Sequence, residues 1–461
     1  MEVLDQTLSK VLEARENRAR LRKNIARSGF DSVSLTLNIP GYPKNNKLLS
    51  AFFSEVLKDL LIFLQANRIF INTDKKLQLM DDAGAFFIVP LQKNDLSDIL
   101  EIKRKTEQFE KNHKLGRLTD VDVFDKNANP VSSGKEKPCY FCGEHSAVSC
   151  MRNERHSYEE IREKIFKDIA NFLNEKYRDK QISKICSLAQ RAVLYEVSLS
   201  KKPGLVCFED QGAHKDMNFF TFLNSTAALA PYFREFCELG YQHQGSLKKV
   251  LPKIREIGLR AEDSMFSATD QINTHKGIIF LFGISLFAIS KILSEKNTFS
   301  EEYFQVIIKI IGENLVDDEL GNLKNTQTHG ERVYLKYGIE GAGIRNEIEK
   351  GMPTVFQTAV PFFSQNLYPD LYKDQEKLQE VLLTGLLKII SVNNDTNILY
   401  RSDLKVLHKI KNEAARSVSD DKAREDLLKY CREKNISPGG SADLLAVSLL
   451  VHFINTEKNE F

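Results

Sequence analysis

The stretch SVSLTLNI, residues 32–39, alternates strictly, with Val33, Leu35, Leu37 and Ile39 on one side. A period of two predicts a strand, and Pro40-Gly41-Tyr42-Pro43 ends it. Upstream, residues 5–27 carry Leu8, Val11, Leu12 and Leu21 at helical spacing among many charges. Downstream, residues 51–64 read as a helix, 86–91 and 121–124 as strands, and 106–110 as a weaker strand candidate. The opposite pattern is GIIFLFGISLFAIS, residues 277–290, uncharged and bounded by Lys276 and Lys291. That run is too short to span a bilayer and predicts a buried helix. Apolar-periodic segments at 182–199, 219–240, 303–313, 378–391 and 442–455 continue the helical pattern with almost no alternation. The expected fold is multidomain, with an α+β domain over residues 1–178 and an all-α helical domain over residues 181–461. A helix from Ser157 to about Tyr177, then the polar stretch Tyr177 to Lys180, marks the expected boundary.

Composition narrows the class. The chain has 461 residues, 42% hydrophobic and 28% charged, enough to bury sizeable cores. A formal net charge of +2 gives no strong attraction to nucleic acid or an anionic membrane, and neither is an expected partner. Residues 1–30 are charged throughout and lack the apolar region of a signal peptide. Seven cysteines, an odd count, fit reduced thiols better than a disulfide framework, so a cytoplasmic location is expected.

The segment LGRLTDVDV, residues 115–123, carries the first chemistry. In a strand, Asp120 and Asp122 project to one face while Val121 and Val123 enter the core. Adjacent carboxylates repel unless a cation lies between them, and Mg²⁺ with substrate phosphates is the usual occupant. Arg117 is placed to meet a phosphate. The alternative is a pair of solvated turn aspartates. Further on, Cys139, Cys142, Cys150 and His156 have a spacing that suits a structural Zn²⁺, with His145 to spare. Reduced thiols without a metal are the alternative. Arg152 and Arg155 are candidate phosphate contacts.

In the later chain, short polar motifs interrupt the apolar helices. They include Tyr195-Glu196, Lys202-Pro203-Gly204-Leu205-Val206, Gly212 to Met217, Ala261-Glu262, Asn273 to Gly277, Thr328-His329-Gly330, Gly341 to Pro353, Asp395-Thr396-Asn397 and Ser437 to Asp443. Each falls at a helix end or loop, where glycine and proline let a backbone approach a ligand. A helix opening at Asn273 would favour an anion at its N-terminus, with Lys276 in the first turn. Thr274, Asp395 and Ser441 serve equally well as plain helix caps.

Two family resemblances organise these pieces. Residues 115–123, together with Ala14 to Arg18, Asn38 to Lys44 and the cluster from Cys139 to His156, resemble the citrate lyase holo-acyl-carrier-protein synthase family over roughly residues 1–175. The resemblance implies a nucleotidyltransferase-like domain whose Asp120 and Asp122 hold Mg²⁺, with Glu107 or Glu110 as a third ligand. Where that family carries an arginine before the first cysteine, Lys135 and Lys137 stand here. The polar motifs from about residue 188 to 450 resemble the triphosphoribosyl-dephospho-CoA synthase family. That implies ATP and 3′-dephospho-CoA as substrates and the citrate lyase acyl carrier protein (the gamma subunit) as partner. Candidate acid, base or metal residues are Glu196, Asp216, Glu262, Asp395 and Asp443. Glu262 is the expected base, and Asp216 or Asp443 the expected Mg²⁺ ligand. Candidate phosphate contacts are Lys202, His214, Lys215, His275, Lys276, His329 and Arg345. His214 to Asp216, His275, Lys276 and Asp443 are expected in one pocket. Cys207 departs from an acidic residue usual in the family; if that acid binds a metal, either synthase activity is impaired here or Glu209 or Asp210 substitutes. The rival reading is a non-catalytic assembly or adaptor protein for the carrier subunit.

Overall fold

The computed structural model describes residues 2–92, 98–132, 134, 137–296, 298–321 and 328–457. Lys135 lies outside the described residues. The chain divides into two compact units, Met1–Tyr177 and Arg178–Phe461.

The first unit contains α1 (Glu2–Arg27), β1 (Ser32–Leu37), α2 (Lys47–Ala66), β2 (Leu77–Asp81), β3 (Gly84–Pro90), α3 (Ile99–Asn112), β4 (Thr119–Phe124), α4 (Ala147–Arg152) and the start of α5 (Tyr158–Ser198). Its strands form one antiparallel sheet in the order β2-β3-β1-β4. The alternation in β1 sends Val33 and Leu35 to the same side as Phe87, Val89, Val121 and Val123. The Phe52, Phe53, Val56 and Leu60 side chains of α2 close that core, with Ile165, Ile169 and Phe172 of α5. Asn46 starts α2 by accepting a hydrogen bond from the Leu49 amide at 2.8 Å. On the other face, Phe86 and Ile88 pack against Ile25 of α1.

Three local expectations change. Residues 106–110 belong to α3, not to a strand, because Ile102, Thr106 and Phe109 turn to one buried face at helical spacing. The strand β2 escaped detection, since it is an exposed edge whose residues show no buried alternation. The polar stretch Tyr177 to Lys180 does not break a helix, and α5 continues to Ser198. Its charged residues are good helix formers, and no glycine or proline interrupts them.

The second unit is helical, with no strand among its described residues. Helices α6 (Phe219–Gln242), α7 (Leu251–Ala268) and α8 (Lys276–Lys296) pack together. Gly240 lets α6 and α8 approach closely, because a Cβ there would lie 2.4 Å from the Phe287 carbonyl oxygen. Helix α8 is long and apolar enough to cross a membrane, yet 83% of its most apolar window is buried within the protein. It is a core helix, as is Gly439–Thr456. The N-terminal turns of these two helices meet at Gly277 and Asp443, which positions the cavity described below.

Candidate active sites

In the first unit, β4 buries Val121 and Val123 and turns Asp120 and Asp122 to the opposite face, across from Thr36 and Ser34 of β1. Lys137 Nζ donates to Asp120 Oδ1 at 2.9 Å and to Glu110 Oε1 at 3.1 Å. Glu110 reaches this region from α3 instead of a neighbouring strand, and Glu107 lies on the same helix. Burial pushes the Glu110 carboxyl up, opposed by the Lys137 charge. Burial works against the charge of Lys137 too, yet the hydrogen bond to Asp120 and the charge of Glu110 hold it above an ordinary lysine. Asp122 accepts no hydrogen bond among the described residues. Burial, and then the neighbouring Asp120, raise its pKa, while Lys103, Arg22 and Lys137 pull the other way. Arg22 of α1 covers the Phe124 ring at 4.6 Å, and its buried Nε has no partner. Such a set, with one carboxylate uncompensated and cations around it, suits a divalent cation and phosphate oxygens. Lys103 and Arg22 carried no motif in the sequence, and Lys137 was singled out only by its place before Cys139; the fold brings all three to the pair.

Several backbone groups on the outer edge of β4 are taken up by side chains and a following loop. The Val121 amide donates to Glu110 Oε1 at 2.7 Å, and Lys103 Nζ donates to the Val121 carbonyl at 3.0 Å. Lys137 donates to the Thr119 carbonyl at 3.3 Å, and the Val131 amide to the Val123 carbonyl at 2.9 Å.

Next to this edge, one ligand atom each from Cys139, Cys142, Cys150 and His156 all lie within 4.8 Å of one another. The Cys139 amide donates to the His145 carbonyl and the Gly143 amide to the Cys139 carbonyl, so the backbone forms a tight knuckle. The backbone amide of His145, followed by His156, pulls the Cys142 thiol down to about 6, and burial pushes Cys150 up to about 11. His156 Nε2 is buried without a partner. Three sulfurs and one imidazole match the donor set of a closed zinc site. Arg152 and Arg155 are exposed. Arg117 Nε donates to the Pro138 carbonyl, so this candidate phosphate contact is tied to the knuckle.

In the second unit, a cavity of about 670 Å³ gathers Lys202, His214, Glu262, His275, Lys276, His329, Arg345 and Asp443. It omits Lys215 and Asp216, which are exposed. The turn at Gly212 aims His214 inward, with Nε2 3.0 Å from Ser437 Oγ, and leaves the next two side chains in solvent. Asp216 is therefore no ligand for an ion inside this cavity, and Lys215 no clamp there. Glu209 and Asp210 are also outside the lining, held instead by Ser200 and Arg432. Cys207 is buried behind the wall, so the missing acid takes nothing from the cavity surface.

The cavity lining carries acidic groups. Asp443 sits so close to α8 that a Cβ on Gly277 would fall 1.9 Å from its Oδ2. Burial, and then Glu196 and Asp395, push the Asp443 carboxyl well above the usual range. Asp395 caps the helix Thr396–Arg401 and accepts from the Ser441 amide at 2.7 Å and hydroxyl at 2.9 Å, so it is structural. Glu196 is bound by Lys202 Nζ at 2.7 Å, both almost fully buried. This pairing occupies Lys202, which is not a free phosphate clamp. Thr274 donates to Ser225, whose hydroxyl lies 2.6 Å from His275 Nδ1. The proton of His275 then falls on Nε2, which is buried without a partner. Burial, and then Lys202, lower the His275 pKa to about 3, so it meets a ligand as a neutral donor, not as a cation.

The lining also carries cations. Arg255 of α7 and Arg345 share the single carboxylate of Glu319, the latter at 2.6 Å. Lys276 pairs with Glu262 at 2.7 Å. His329 stacks on Tyr400 with centroids 3.7 Å apart. Arg401 donates to the Ala213 and Asn435 carbonyls. Arg255 and Arg401 lie inside helices with no motif around them, and no sequence signal singles them out.

Residues 182–461 match the family CitG, described as ATP:dephospho-CoA triphosphoribosyl transferase. Residues 6–172 match CitX, Apo-citrate lyase phosphoribosyl-dephospho-CoA transferase. The class is thus a bifunctional transferase. Protein CitXG of Leuconostoc mesenteroides subsp. cremoris is 34% identical, over 96% of this chain and 96% of its own length. Protein CitXG of Haemophilus influenzae is 33% identical over 96% of this chain and 95% of its own. The 2-(5''-triphosphoribosyl)-3'-dephosphocoenzyme-A synthase of Haemophilus ducreyi is 35% identical, over 67% of this chain and 97% of its own length. The chain belongs to the CitG family, with a CitX portion ahead of it in the same polypeptide.

Proposed function

We infer that the second unit makes 2′-(5″-triphosphoribosyl)-3′-dephospho-CoA and that the first attaches it to the citrate lyase acyl carrier protein. The observation that supports this is that each family match falls on one unit holding its own cluster of carboxylates and cations. In the synthase reaction, the 2′-hydroxyl of dephospho-CoA attacks C1′ of the ATP ribose. The C1′–N9 bond breaks and adenine leaves with a proton. Asp443, kept protonated by its surroundings, is the acid for the leaving base. Glu262, ionised beside Lys276, takes the hydroxyl proton. Two carboxyl groups in unlike environments are the usual way to divide acid and base work. Arg255, Arg345 and Lys276 hold the triphosphate. His275 Nε2 offers a neutral hydrogen bond.

In the transfer reaction, a carrier serine hydroxyl attacks the α-phosphorus of the triphosphoribosyl group and pyrophosphate leaves. Asp120 and Asp122 would hold Mg²⁺, which when bound neutralises phosphate charge. Arg22, Lys103 and Lys137 surround the phosphates, and Arg117 borders them. Carboxylates on a sheet strand are the arrangement of a nucleotidyltransferase-like domain. Cys139, Cys142, Cys150 and His156 form a structural zinc site. ATP, dephospho-CoA and reduced thiols assign the work to the cytoplasm.

The test is mass spectrometry of apo carrier protein incubated with the enzyme, ATP, dephospho-CoA and Mg²⁺. The expected result is a carrier heavier by one phosphoribosyl-dephospho-CoA, with equimolar adenine and pyrophosphate. An unmodified carrier and no adenine would support the adaptor reading instead.

A further inference from the structure

The knuckle from Cys139 to His156 does more than fold a loop. Between Phe124 and Ile165, the only fully buried apolar side chains among the described residues are Cys139 and Cys150. A stretch this long cannot hold its place by hydrophobic burial alone. Yet it positions two groups at the acidic strand. Lys137, two residues before Cys139, reaches Asp120, Glu110 and the Thr119 carbonyl. Pro138, next to Cys139, holds the Arg117 guanidinium through its carbonyl. On its other side the knuckle docks on α5, through Tyr140 to Asp168 at 2.7 Å and Lys164 to the Phe141 carbonyl at 3.3 Å.

We propose that a zinc ion closed by Cys139, Cys142, Cys150 and His156 seats Lys137 and Arg117 on the acidic strand, so that carrier-protein transfer depends on this ion and adenine release from ATP does not. The proposal rests on the zinc reading given above and adds its consequence for catalysis. Binding energy from four ligands is folding energy for the segment that carries them. Supporting groups around a metal or catalytic site commonly change activity by about 10–100-fold. The four ligands are positioning residues, acting through Lys137 and Arg117.

The experiment uses the full chain purified without chelator. Zinc is counted by mass spectrometry, and transfer from pre-made prosthetic group and adenine release are measured in excess Mg²⁺. The expected content is about one zinc per chain. Stripping the zinc should lower transfer about 10–100-fold, leave adenine release unchanged, and be reversed by zinc. Lys137→Met should keep its zinc and lose transfer to a similar degree, and Lys137→Arg should recover part of it. Stripping zinc from Lys137→Met should then cost much less than stripping it from the parent, whereas a merely structural ion would give independent losses. Protein free of zinc yet fully active in transfer overturns the zinc reading and this proposal together. Zinc present, with transfer insensitive to its removal, overturns only the proposal. So does a Lys137→Met variant with parental activity.

Discussion

Replacing Gly277 by alanine isolates the chemistry of Asp443 from its structural role. The new Cβ would lie 1.9 Å from Asp443 Oδ2 and 2.8 Å from its Cγ. Ordinary contact begins at about 3.5 Å, so the carboxyl must retreat by roughly 1.5 Å. Overpacking of this kind costs about 1–3 kcal/mol. Alanine regains up to about 1 kcal/mol over glycine in a helix. The net loss of stability is therefore about 0–3 kcal/mol, a drop of several degrees at most in the melting temperature of a unit this large. Catalysis should suffer far more. A displacement of about 1 Å in a reacting group can cost about 100-fold, or about 2.7 kcal/mol of barrier. The assay is adenine release at saturating ATP and dephospho-CoA, followed by chromatography. Transfer of pre-made prosthetic group by the same preparation serves as control. Adenine release within about twofold of the parent, in a variant that melts normally, would refute the placement of the acid at Asp443.

The remaining expectations use the same two assays. Asp120→Asn should reduce carrier transfer by at least about 100-fold and spare adenine release; near-parental transfer removes the pair from the reaction. Because the Asp443 pKa is raised, its proton is kept to higher pH than an ordinary carboxyl keeps one and is lost as pH rises through that elevated value. Adenine release should fall on the alkaline side, and Asp443→Asn should be slow with that limb gone; an unchanged limb assigns the titration elsewhere. Lys202→Met leaves the Glu196 carboxylate buried and unpaired, which should cost about 3–5 kcal/mol in urea unfolding. Adding Glu196→Gln should restore most of it, and additive losses would show that the two do not act as a pair.

Much of the first unit was legible because its signals are local. The alternation of Val33 and Leu35, and of Val121 and Val123, specified the strands and put Asp120 and Asp122 on one face. The spacing of Cys139 to His156 likewise brought four ligands together. What local pattern could not supply is partner choice. Lys137 looks like one lysine in a polar loop, and Glu110 belongs to a helix where a weak strand was expected. In the second unit, nine of the named candidate residues do line one cavity. Their roles differ from their residue types, because burial decides charge. His275 is neutral, Lys202 is committed to Glu196, and the Asp443 carboxyl is pushed above its ordinary range by burial. The side chains of Lys215 and Asp216 went outward because a turn directs only one of three consecutive residues to a given side. The segment Tyr177 to Lys180 shows the converse, since charges that looked like a linker are the solvent side of a continuous helix.

The side-chain cover over the outer edge of β4 has a consequence for solubility. An open strand edge is a template on which another chain can pair, and proteins guard such edges with charged side chains. Here the guards are Glu110, Lys103 and Lys137, the same groups that surround the acidic pair. Variants at these positions would lose activity and also bare the Thr119 and Val121 backbone to neighbouring molecules. A preparation of Lys103→Ala or Glu110→Ala that clouds on concentration would then report strand-to-strand association, not a failure to fold. Chemistry and colloidal behaviour are tied together at this strand, so neither can drift in sequence without the other.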